Sequence, residues 1–537
     1  MALNEQQEYE EAKNQLIEIL KQDPSDHWSL VILANIFTKV DRDYEAAERF
    51  LRKALSIEPN DPWALNSMGA VLFETNRADE GEEVFRRLIE AQPKMANPYV
   101  GLAMGLSNVE KEEEASQVIR EMFRRAEVQD KRSEAIFDGA RELYRRCQVR
   151  LCQRYQSSVH RIIQEFKSEL EEKSGLPIRV EETDFADSSN AKIEIAWRRN
   201  RDHHRLLTKR GASEATLPHL MMHELMHLEM EMQAREAGNN RFFATTANTR
   251  EAAIRSVGDE VNRLQQGGFD EDAIQGFILN VIGGLSNFLY NCPLDMAIES
   301  RMSERFSELR PYQYLSNAAL MAEAQKGNMD SQIRKITPSL ILNASIAMNG
   351  AFALFLDDLF GNASDFAGVY RDERAFGTAK DLYAHWKDNA NSLSPGDEYR
   401  LVDDFADIVG LTEWYQWIPD DSQTSQPQQD DTLEQKSPAS MFYLLGALER
   451  YENLPESKIR EIAFEIALLG TSGLDYSSSE QKYSLRSIPN EKFTGLQLMC
   501  LMYVGFKKIA PEQETGMDLE EPYQEALKMF SMKKRGG

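Results

Sequence analysis

"LPHLMMHELMHLEMEMQA", residues 217–234, carries His219, His223 and His227 at four-residue intervals, with Glu224 directly after the second histidine. Residues four apart lie one turn above each other on the same face of an α-helix. His223 and His227 can therefore offer two imidazole nitrogens to one zinc ion at about 2 Å each. Glu224 projects beside them, able to reach a water on the metal without being a ligand. This is the HExxH arrangement, spelled HELMH here. Zinc lowers the pKa of its water toward ~7, and the glutamate removes the proton as the water attacks a polarised carbonyl. Five of the eight histidines fall between residues 203 and 227. Pro218 suits a first helical turn. The flanks Leu217, Leu220, Met221, Leu225, Met226, Leu228, Met230 and Met232 predict a buried helix.

A catalytic zinc needs a third protein ligand and an open fourth position. Glu231 lies ~6 Å beyond His227 along the helix axis, too far to share the ion, and Glu236 is turned to the opposite face. The ligand must come from another element. In "LYNCPLDMAIESRMSERF" (289–306), Pro293 is expected to restart a helix, and Asp295 and Glu299 share one of its faces beside Met296 and Ile298. Glu299 is the expected third ligand, with Asp295 as hydrogen-bond partner of a histidine; Glu251 and Glu260 are held in reserve. His219 stays open between a supporting or substrate-facing role and simple solvent exposure. A developing oxyanion also needs a donor, for which His203, His204, Arg301, Tyr312 and Tyr314 are candidates. The stretch "RNRDHHRLLTKR" (199–210) is expected to be a solvated hairpin arm.

Strand signals lie just upstream. "IRVEETDF" (178–185) and "AKIEIAW" (191–197) alternate apolar residues at Ile178 and Val180, then at Ile193, Ile195 and Trp197. Everything after the motif reads as helix. Residues 176–310 thus resemble a zincin metallopeptidase of the gluzincin type. The resemblance implies a small sheet whose last strand borders the substrate cleft, then the HELMH helix, then a glutamate-bearing helix. One departure stands out: gluzincins often carry the glutamate first and the aspartate four residues later, whereas Asp295 precedes Glu299 here.

The first 130 residues repeat. Pro24, Pro59 and Pro93 are spaced 35 and 34 apart, each closing a helical pattern. Ala47, Leu51 and Ala54 before Pro59, Met68 and Gly69 after it, Tyr99, Leu102, Ala103 and Leu106 after Pro93, and Ala115 and Ile119 beyond keep one phase. Over residues 5–127, with one extra residue near Asp41–Asp43, this resembles the tetratricopeptide repeat. The resemblance implies stacked helix pairs in a superhelix that binds a protein partner.

The bulk numbers bound the rest. In 537 residues, 42% hydrophobic and 28% charged, the composition is that of a globular protein. A net charge of −26 argues against nucleic acid or an anionic membrane as partner. The acidic N-terminus lacks a secretory h-region. Four cysteines are too few for a disulfide framework, and Cys147 and Cys152 lack zinc-pair spacing. "PSLILNASIAMNGAFALFLDDLFG" (338–361), interrupted by asparagines and ending in aspartates, is expected to be a buried helix. A cytoplasmic setting follows.

The expected fold is mainly α: a repeat module over 1–130, an α+β zincin-like domain with helical extensions over 131–418, a flexible linker or loop over 419–440, and a helical region over 441–537. The expected function is a zinc metalloendopeptidase acting on a protein or peptide, with the repeats recruiting substrate or regulator. The alternatives are an interaction scaffold with a degenerate zincin-like part, or a partner-triggered protease effector of a toxin or defence system.

Overall fold

The computed structural model describes residues 2–185, 190–261, 271–329, 334–335, 337–420, 438–471, 482–489, 491–510 and 519–533. The chain is mainly helical, with 74% helix and 6% strand. It divides into two compact units, and the division differs from the domain limits expected above. The first unit is Met1–Arg161 together with Arg305–Asn317 and Phe355–Phe366; the second is Ile162–Glu304, Ala318–Leu354 and Ala367–Gly537.

The first unit opens with α1 (Ala2–Gln22), α2 (His27–Ile36), α3 (Tyr44–Ile57), α4 (Pro62–Glu74), α5 (Ala78–Ala91), α6 (Ala96–Asn108) and α7 (Glu112–Arg125). The starts of α2, α3 and α4 are set by short acidic side chains. Asp26, Asp43 and Asp61 each accept a hydrogen bond from the backbone N–H three residues on, at Ser29, Ala46 and Ala64, which satisfies a donor the helix cannot. The positions that keep the repeat phase are interior: Ala47, Leu51, Ala54, Tyr99, Leu102, Ala103, Ala115 and Ile119 are each 0% exposed. Glycines let neighbouring helices close on aromatic rings. Phe85 of α5 is wedged between Gly69 and Gly101, where an added Cβ would stand 2.6 Å from the ring on either side. The extra residue near Asp41 is absorbed by a π-helical turn at Phe37–Asp41, followed by Arg42 at φ 54.

A long helix, α8 (Lys131–Ser174), carries the division between the units. Beyond it lie β1 (Ile178–Thr183), β2 (Ala191–Glu194) and β3 (His204–Lys209) in the order β1-β3-β2. β1 runs parallel to β3, pairing Ile178 with His204, and β2 runs antiparallel to it, pairing Ile193 with Leu206. The first two strands stand where alternation places them. β3 corrects the hairpin-arm expectation: "HRLLTK" is the central strand, with His204 and Leu206 at 0% exposure. A strand covered on both faces has no alternation to betray it.

Next come α9 (Leu217–Glu236), β4 (Arg241–Ala244), α10 (Ala247–Ser256) and α11 (Glu271–Arg305). Pro293 lies inside α11 rather than at its start. The all-helix expectation after the motif also fails at β4, which pairs antiparallel with β5 (Gln416–Pro419). β5 ends at Pro419, the first residue of the expected linker, and 421–437 lies outside the described residues. A short β6–β7 pair, Tyr483–Ser484 with Lys492–Phe493, interrupts the helical region expected over 441–537, within which 472–481 and 490 also lie outside the described residues. The apolar helix Ser339–Leu359 is long enough to cross a membrane by length and composition, and 67% of its apolar window is buried. All four cysteines are free and buried.

Candidate metal centre

α9 is buried on most of its circumference, and the stripe His219, His223, His227 faces α11. The pairing runs antiparallel. His219 and His223 meet Glu299, while His223 and His227 meet Asp295, one turn earlier on α11.

Two clusters result, and they share His223. In the first, His223 Nε2 and His227 Nε2 are 3.1 Å apart, and each stands 3.3 Å from Asp295 Oδ1. Three ligand atoms on a tetrahedral zinc with bonds of 2.0–2.1 Å are ~3.3 Å apart, so this triangle has the edges of a zinc site. The two ring nitrogens also face one another, and Asp295 Oδ1 is a buried oxygen whose neighbours here are those two rings at 3.3 Å. Two imidazole nitrogens and a carboxylate oxygen converging on one point are a donor set that fits a cation. In the second cluster the contacts are complementary: Glu299 Oε1 lies 2.8 Å from both His219 Nε2 and His223 Nδ1. A carboxylate accepts from two N–H groups there, and hydrogen bonding accounts for it without an ion.

Asp295 faces the Nε2 atoms of both His223 and His227, and Glu299, the expected third ligand, meets the Nδ1 side of His223 together with His219. Each carboxylate stands close enough to two imidazoles to share an ion with them. Burial disfavours charge on all three groups. It is outweighed at His223, whose pKa is raised by Asp295 and Glu299, and at Asp295 and Glu299, which their histidines hold below the ordinary carboxylate range.

Glu224 points from the same helix toward the sheet. Its Oε2 accepts from the backbone N–H of Ile193 at 2.8 Å, so the carboxylate is set against the outer edge of β2. The expected oxyanion donors pair elsewhere. His203 meets Asp202 at 2.6 Å. His204 is 0% exposed; its Nδ1 accepts from Ala196 N at 3.1 Å, and its ring abuts Trp197. Arg301 pairs with Glu398. Tyr312 and Tyr314 belong to the first unit, where the Tyr312 hydroxyl donates to Cys152 O at 2.5 Å and Tyr314 packs edge-on against Tyr144. The reserves are engaged as well, Glu251 with Arg255 and Glu260 with Ser339.

Glu231, set aside above as too far along the helix to share the ion, is 3% exposed and has a different part. Its carboxylate accepts from Trp197 Nε1 at 2.6 Å and pairs with Arg198, tying the segment after β2 to α9. The signal was present, because Glu231 continues the four-residue stripe of the histidines.

Compared with known families, residues 41–104 match the tetratricopeptide repeat model. No curated protein matches the chain. The chain thus carries N-terminal tetratricopeptide-like helical repeats, a protein–protein interaction module.

Proposed function

We propose that the chain is a zinc-dependent peptidase whose repeats recruit a protein substrate or regulator. The observation that carries this reading is the triangle of His223 Nε2, His227 Nε2 and Asp295 Oδ1, with sides of 3.1, 3.3 and 3.3 Å. His223, His227 and Asp295 would hold the ion. Zinc bound there supplies a Lewis acid that polarises a carbonyl and acidifies water. Glu224 takes the proton and later returns it to the leaving amine. Its bond to Ile193 N holds the carboxylate against the edge of β2. β2 offers an extended edge beside Glu224, and a peptide chain is the substrate that such an edge orders. The zincin-like α+β arrangement is part of this proposal.

Purified full-length chain is expected to hold one zinc and to cleave a denatured protein substrate. Glu224→Gln should keep the metal and lose turnover by about 10²–10⁴-fold, the usual contribution of a general base. A parent-like rate in Glu224→Gln overturns the mechanism. A chain that binds no zinc but retains a protein partner is a scaffold, and the peptidase reading then falls.

A further inference from the structure

The His219 imidazole has no place in the proposed triad, yet it is 1% exposed and turned toward Glu299. We propose that His219 is a positioning residue that acts through Glu299 to fix the orientation and tautomer of His223. This inference rests on the zinc-peptidase reading of the same site.

A carboxylate only accepts hydrogen bonds. The contacts at Glu299 therefore draw an N–H from each ring: Nε2–H of His219 at 2.8 and 3.1 Å from its two oxygens, and Nδ1–H of His223 at 2.8 Å. With Nδ1–H held by Glu299, Nε2 is the atom that His223 turns toward His227 Nε2 and Asp295 Oδ1, and its lone pair would be the one offered to a bound ion. The direction of that lone pair depends on the plane of the Glu299 carboxylate. The terminal torsion of a glutamate is broad and soft, and each donor that holds the carboxylate narrows the range of its plane. His219 supplies a second donor, from a side chain that α9 holds one turn before His223.

Two observations show how dedicated this ring is. The His219 Nδ1 atom is buried and finds no hydrogen-bond partner among the described residues, while its Nε2 faces both oxygens of Glu299. Glu299 is itself 1% exposed, so its contact with His219 is closed to solvent. A histidine that served only to fill space could be replaced by an apolar residue of similar size with no effect on the metal. A positioning histidine could not.

The test compares the full-length parent with His219→Leu and His219→Gln. Three readouts are used: zinc affinity by competition with a chromophoric chelator, the visible spectrum after Co²⁺ substitution, and apo-protein melting. Loss of an outer hydrogen-bond partner typically weakens metal binding by about 10–100-fold, and that loss is expected in His219→Leu together with a shifted Co²⁺ band. His219→Gln, whose amide N–H can still donate to Glu299, is expected to recover most of the affinity. Parent-like affinity and spectrum in His219→Leu overturn the inference and leave the peptidase reading standing. A parent that binds no zinc overturns both. Should the leucine variant not fold, His219→Gln is set against His219→Asn, whose shorter amide falls short of Glu299. Equal affinity in those two overturns the inference, and loss in asparagine alone supports it.

Discussion

Gly101 and Gly139 are both helical glycines, and replacing each by alanine is expected to move stability in opposite directions. Alanine gains roughly 1 kcal/mol over glycine in a helix interior through lower backbone entropy in the unfolded chain. At Gly139, in α8, the new Cβ meets nothing within 4 Å, so that gain stands nearly whole. At Gly101 the Cβ would lie 2.6 Å from Phe85 Cε1 and 2.7 Å from Cζ, against an ordinary contact of 3.4 Å or more. The ring must retreat by about 0.8 Å, the difference between these distances. Gly69 blocks that retreat with the same closeness on the ring's other side. Overpacking of this kind costs about 1–3 kcal/mol, which leaves Gly101→Ala destabilised by up to ~2 kcal/mol after its helix gain. For a unit of this size the shift is roughly 2–4 °C per kcal/mol. The assay is thermal unfolding of full-length chains, following the first unit's transition. Phe85→Leu should remove the penalty, so Gly101→Ala becomes harmless in that background. Gly101→Ala matching or exceeding Gly139→Ala in the parent background would refute the slot.

Further outcomes follow from the second unit. Asp295→Ala should lower zinc affinity at least tenfold more than Glu299→Gln, since an outer partner accounts for about 10–100-fold; equal losses, or the reverse order, would restore Glu299 as the third ligand. His204 is pushed down to about 4, first by burial and then by neighbouring His203. The unfolded state, with an ordinary value near 6.5, therefore binds the extra proton between pH 6.5 and 4. Stability should fall through that window as the pH drops, by about 2–3 kcal/mol in all. His204→Asn, which can still accept from Ala196 N, should flatten that part of the curve; an unchanged slope in a urea-by-pH titration would count against it.

The repeats were legible because several independent positions agreed in phase, and small residues at Ala47, Ala54 and Ala103 announce close helix approach. β1 and β2 were legible because each has one wet face. β3 was not, because Leu206, Leu207 and Thr208 are buried consecutively and its basic flanks suggested solvent. Nor was the β4–β5 pairing, whose nearest paired residues, Ala244 and Gln416, are 172 positions apart in sequence. Within the site, the stripe on α9 could be read from spacing alone. The choice between Asp295 and Glu299 could not. Both lie on one face of α11, and what decides is how far that helix is slid along α9, a quantity that packing sets and spacing does not encode.

The π-helical turn at Phe37–Asp41 has a consequence for how such a chain tolerates change in length. One inserted residue in an α-helix rotates everything after it by about 100°, which would turn Ala47, Leu51 and Ala54 out of the core. The widened turn takes up that rotation before α3 begins, and the family match starts at residue 41, the last residue of the turn. A single-residue insertion can thus persist at the exit of α2 as a local bulge. The same insertion near Gly69 or Gly101 would find no slack, because the ring of Phe85 occupies it.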